Sequence, residues 1–149
     1  MFKKHLTNQK GLTLIELLAV VVILGIIAAI AVPAIGNVIN NTRQDADLSE
    51  AQQIIDSARL YITSETPNFT NNTLTISGDG NGNYTETPDT NPDFGAYLDK
   101  ADAFTLTVTR GNNGALTFAI TGHPANGYTY DGITDATTLT GEQIQTLLD

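Results

Sequence analysis

With 149 residues, 16 acidic side chains against 7 basic ones and a formal net charge of −9, the chain would repel phosphate backbones, so direct nucleic-acid binding is not expected. It has no Cys, which removes disulfide loops and thiol nucleophiles and leaves packing alone to stabilise a fold. No phosphate-cradling Gly-Lys-Ser/Thr loop, no Gly-x-Ser-x-Gly elbow and no His pair beyond the first ten residues occurs, so neither enzymatic activity nor a cofactor is expected.

The first element is a basic leader, residues 1–11, that carries Lys3, Lys4 and Lys10 and ends at Gly11. An apolar run from Leu12 to Ile35 follows, in which every residue from Leu17 to Val32 is apolar or Gly. Its length suits the roughly 20 residues a bilayer core requires, so residues 12–35 read as a membrane-spanning helix. Glu16 is the one acid in the run. A carboxylate in such a helix costs about 2.5 to 3.5 kcal/mol on insertion scales, and a cation is expected to compensate it. Proteolysis between Gly11 and Leu12 would remove the three leader lysines and create an α-amino group at Leu12 as the candidate partner. Four basic side chains would then stand against 16 acidic ones, a net charge of −12.

Two rival readings of this segment compete. A secretory signal peptide would be cut near Ala29-Ile30-Ala31, but it leaves Glu16 unexplained inside an apolar region longer than such peptides carry. A plain membrane anchor accounts for neither Gly11 nor Glu16. Within the run, Gly25 lowers helix propensity, and Pro33 removes a backbone donor and crowds the carbonyl of Ala29. A kink or local melting between them, or a mere bend, is expected. Gly25, Ala28, Ala29 and Ala31 would let neighbouring helices approach closely.

The segment Gly11-Leu12-Thr13-Leu14-Ile15-Glu16-Leu17 resembles the processing and methylation signal of type IV prepilins and their pseudopilin relatives. Gly25 and Pro33 fall where members of that family often place helix-loosening residues. The resemblance covers about the first third of the chain, and Leu12 stands where the best-known members begin with Phe. It implies that a membrane-embedded aspartyl peptidase cuts after Gly11 and methylates the amine of Leu12. It also implies that Glu16 neutralises the amine of a neighbouring subunit during assembly. The implied partners are further copies of the chain in a filament, the prepilin peptidase and methylase, an assembly platform and minor pilins. The implied locations are the cytoplasmic membrane, spanned once, before assembly and the cell surface afterwards. Adhesion, motility or DNA uptake would be served by the fibre. The alternatives are a pseudopilin of a secretion or competence machine and, from another class, a monomeric membrane-anchored surface binding protein.

Residues 36–65 continue the helix as an amphipathic segment. Ile35, Val38, Ile39, Thr42, Ala46, Ala51, Ile54, Ile55, Ala58, Tyr61 and Ile62 recur at three- and four-residue spacings, leaving Arg43, Asp47, Glu50, Asp56 and Arg59 for other faces. Pro67 and the Asn-rich stretch after it end a helix that would run from Leu12 to about Ser64, roughly 80 Å at 1.5 Å per residue.

Residues 66–149 read as a small soluble head. Asn91-Pro92 places a cap before Pro, with Phe94, Tyr97, Leu98 and Ala101 following at helical spacing, so a helix of about ten residues is expected. Phe104–Thr109 and Leu116–Thr121 alternate at period two around Arg110–Gly114 and predict a hairpin. Tyr128 and Tyr130 predict a third strand after the turn Gly122–Gly127, and Leu74-Thr75-Ile76 is a further candidate. Thr140 and Gln143 form a capping-box pattern before Ile144, Leu147 and Leu148, predicting a short final helix. The fold class is therefore α+β: an antiparallel sheet packed on the C-terminal half of a long N-terminal helix, as in the ladle of a pilin.

Two local patterns invite a metal. Asp79, Asn81 and Asn83 alternate oxygen-bearing side chains as calcium loops do. Tyr84 then stands where Gly is required and Thr90 where the bidentate Glu belongs, so a Gly/Asn loop without metal is expected. His123-Pro124, flanked by Gly residues, reads as a surface turn.

Overall fold

Apolar residues at period two on strands and at period 3.6 on a helix leave each element with one side that must be covered by another. The computed structural model describes residues 13–88 and 93–149. They form helix α1 (Leu14–Glu65), strands β1 (Thr73–Gly78) and β2 (Tyr84–Thr87), a 3-10 turn (Phe94–Ala96), strands β3 (Phe104–Arg110) and β4 (Leu116–Thr121), a second 3-10 turn (Pro124–Gly127), strand β5 (Thr138–Thr140) and helix α2 (Gly141–Leu148). The sheet order is β2-β1-β3-β4-β5, with every neighbouring pair antiparallel. The fold is α+β, as expected, and the chain divides after Asn40 into two compact units.

In the second unit, α1 contributes Leu48, Ala51, Ile54, Ile55, Ala58, Tyr61 and Ile62 to the core. The sheet answers with Leu74 and Ile76 of β1, Leu106 and Val108 of β3, Phe118 and Ile120 of β4 and Leu139 of β5. Register makes these ranks: Ile76 stands opposite Leu106, Leu106 opposite Ile120, and Ile120 opposite Leu139. A one-residue slip would turn each rank to water, so the buried face holds the register. Edge-to-face contacts of Tyr61 with Phe94 at 5.7 Å and of Phe94 with Tyr84 at 5.3 Å close the end of the core near β2. Gly78 is required there, because a Cβ would sit 2.7 Å from the Phe104 ring. The helix stops where Thr66 turns to a left-handed φ of 47°, a conformation that β-branched residues rarely adopt, and Pro67 follows.

The hairpin of β3 and β4, the strand at Leu74–Ile76 and the final helix stand where the sequence places them. Other expectations are corrected. The core stripe of α1 begins at Leu48, which the pattern passed over. Ile35, Val38, Ile39, Thr42 and Ala46 are exposed, because the buried helical stripe extends only as far as there is sheet to cover it. Asn91 and Pro92 lie outside the described residues. The helix expected after them is only the three-residue turn Phe94–Ala96, capped by Asp93, whose Oδ1 accepts from Gly95 N at 2.8 Å. Glu86 Oε1 accepts from Phe94 N at 2.7 Å, and Leu98 and Ala101 reach the core from irregular chain, so side-chain capping replaces helix continuation. Tyr128 and Tyr130 form no strand. The Tyr130 hydroxyl donates to Ala125 O at 2.7 Å and that of Tyr128 to Asp47 Oδ2 at 2.6 Å. They tie a loop down, and β5 takes the place beside β4 instead.

Candidate functional site

Thr13, Glu16, Gly25 and Pro33 all lie in the first unit. Thr13 donates its backbone N–H and its hydroxyl to Glu16 Oε2, each at 2.8 Å, and Glu16 N donates to Thr13 Oγ1 at 3.3 Å. This is a reciprocal capping box that starts α1, with the acid in the first turn where the helix dipole favours it. Reading Glu16 only as a charge in need of a cation missed this role, although Thr13-x-x-Glu16 spells it. Oε2 is occupied by the cap, while Oε1 accepts no hydrogen bond among the described residues. The cap satisfies half of the carboxylate and neutralises none of its charge. Gly11, Leu12 and the leader lysines lie outside the described residues.

Gly25 and Pro33 both sit inside α1, which stays helical through them, so the local melting expected between them is not found. Pro33 sits within the continuous helix, where it supplies no backbone donor. A Cβ built at Gly25 would meet nothing within 4 Å, so no contact among the described residues calls for glycine there. Around both residues every large apolar side chain from Leu14 to Ile39 is exposed, with Leu14 at 84 % and Ile30 at 72 %. An 18-residue stretch of this helix is apolar enough to cross a membrane, and none of it is buried. An apolar surface of that extent requires lipid or other protein around it.

In the head, Asp79 Oδ1 accepts from Asn81 N at 2.7 Å and Asn83 N at 3.2 Å, and Oδ2 accepts from Asn83 Nδ2 at 2.8 Å. The side-chain amide of Asn83 and the backbone N–H of Asn81 hold this carboxyl down to about pKa 2. Asp79, Asn81 and Asn83 are thus internally satisfied as the turn joining β1 to β2, with the Asn83 amide turned as donor.

His123, expected on a surface turn, is buried at 3 % exposure. It caps the turn Pro124–Gly127: Nδ1 accepts from Ala125 N at 3.2 Å, and Asn126 Oδ1 accepts from His123 N at 3.0 Å. Burial lowers its pKa, against the opposing pull of Glu50, Asp47 and Asp102. Nε2 lies 3.4 Å from Glu50 Oε2 yet makes no hydrogen bond, so the contact is one of proximity rather than of a formed bond. One carboxylate oxygen from each of Asp47, Glu50 and Asp102 lies within 4.8 Å of the others. This group joins residues 52 positions apart, and no local pattern in the sequence announces it.

A family model described as the prokaryotic N-terminal methylation motif matches residues 6–32. A fimbrial protein of Pseudomonas aeruginosa is 33% identical over 137 residues, a span covering 78% of this chain and 88% of that protein. A second fimbrial protein of the same organism matches to the same extent. No solved structure matches.

Proposed function

This chain belongs to the type IV pilin family of fimbrial proteins, and on that premise we propose that it is a structural subunit of a pilus, polymerising through residues 12–35 after cleavage between Gly11 and Leu12. The observation that carries the reading is the pairing of an exposed apolar helix with a single, half-satisfied carboxylate at its start. Before assembly, lipid covers the apolar surface and the chain spans the cytoplasmic membrane once. In the filament, helices of neighbouring copies replace the lipid through a heterologous, non-closing contact. The N-methylated amine of Leu12 on one copy meets Glu16 on the next, where Oε1 is the oxygen left by the cap. In a low-dielectric bundle each charge alone is expensive, so the pair sets the axial register, and removing one partner hurts more than removing both. Gly25 and the alanines around it permit close helix approach. The enzyme that cuts and methylates, an assembly platform and minor pilins are the further partners of this reading.

Intact-mass measurement and N-terminal sequencing of material sheared from cells test it. The expected chain starts at Leu12 and is heavier by one methyl group. A start at Val32, or a full-length chain retained in membranes, overturns the proposal.

A further inference from the structure

Asp47 and Glu50 stand one turn apart on α1, and Asp102 is held beside them in the approach to β3 by its own N–H, which donates to Glu50 Oε1 at 3.0 Å. The ion pairs found among the described residues are Arg59 with Asp56 and His123 with Glu50, so no Arg or Lys among them pairs directly with the three. The Tyr128 hydroxyl orients Asp47 without cancelling its charge. Three mutually close carboxylates repel one another, and a cation among them would relieve that.

The second observation is His123. Its Nδ1 lone pair is taken by Ala125 N–H, so in the neutral ring Nε2 carries the hydrogen and cannot ligate a metal. That N–H is buried, 3.4 Å from Glu50 Oε2 and without a formed hydrogen bond. A buried donor without an acceptor is rare in a finished structure. It finds its acceptor once the Glu50 carboxylate is held in place, which is how donors behind ligating carboxylates act in metal sites.

We propose that Asp47, Glu50 and Asp102 bind a hard divalent cation of the calcium class, with His123 as a positioning residue behind Glu50. Two oxygens bound to one calcium at 2.3–2.6 Å can lie up to about 5 Å apart, and the 4.8 Å limit of this set falls within that. An all-oxygen donor set selects calcium, magnesium or manganese over zinc and copper. Three carboxylates on a half-open surface, with water completing the shell, suit the irregular coordination of calcium better than the strict octahedron of magnesium. The bound ion clamps α1 to the chain entering β3. The loop at Asp79 has no part in it.

The test is calcium titration of the full chain in detergent micelles, followed by thermal unfolding of the head and by tyrosine-sensitised terbium luminescence. The chain has no Trp, so Tyr128, bonded to Asp47, is the sensitiser. Saturable calcium binding is expected at about 0.1 to 1 mM, the range of extracellular modules, together with a raised Tm. Glu50→Gln and Asp102→Asn each weaken binding by at least about tenfold. Because they also relieve repulsion, they leave the calcium-free Tm unchanged or higher, which misfolding would not do. Asp79→Asn leaves the affinity as it is. Absence of saturable binding, wild-type affinity in both variants, or loss on Asp79→Asn alone overturns the proposal. An imidazole Nε2–H resonance that does not move at saturating calcium overturns the positioning role of His123.

Discussion

The two halves of α1 are one helix by backbone and opposites by environment. From Leu14 to Ile39 the large apolar side chains are all exposed, whereas Leu48, Ile54, Ile55, Tyr61 and Ile62 are buried. Helix propensity does not separate them, since Leu, Ile and Ala populate both. What differs is the origin of the covering surface: the sheet of the same chain covers the second half, and the first half must find its cover outside. On the proposed reading, one helix therefore serves two separable energetic problems, folding and assembly.

The comparison breaks most visibly at Glu16. Glu16→Ala is expected to abolish filaments seen by electron microscopy of sheared material while leaving the Tm of the head unchanged. Filaments that persist, or a head that melts earlier, would show that the halves are not separable. Next is Ile54→Ala, expected to destabilise the head by about 2 to 5 kcal/mol in urea unfolding, against no change for Ile23→Ala in the exposed half. A pH series sharpens the buried side. His123 has its folded pKa lowered by burial, so its contribution is fully present above the ordinary value of 6.5 and is lost as pH falls through the folded value. The Tm of the head should drop on acidification below about pH 6.5, and His123→Gln should flatten that part of the profile. Last, Thr140→Ala removes the cap of α2, whose Oγ1 accepts from Gln143 N at 3.2 Å, and should cost about 1 kcal/mol.

What could be read from the sequence follows the range of the interactions involved. The apolar run around Glu16, the hairpin of β3 and β4 and the capping box at Thr140 are written in neighbouring residues, and each is found where its pattern places it. Strands β2 and β5 have four and three residues, too few for an alternation to stand out from a loop, and they exist through pairing with β1 and β4. His123 was misread because a His cap answered by Asn three residues later is an unusual spelling of a familiar exchange. The acid group around Glu50 depends on tertiary approach alone. The proposed cleavage point and methylated amine rest on the prepilin motif alone, because their chemistry would belong to another enzyme.

Gly25 carries information of a kind the isolated chain never uses. It gives up about 1 kcal/mol of helix stability relative to alanine, and among the described residues no atom lies close enough to its missing side chain to return the loss. On the proposed reading, its place in the exposed half of the helix serves the close approach of neighbouring copies. Gly25→Ala should therefore be a silent or mildly favourable change in every assay of the monomer and a harmful one only where many copies meet.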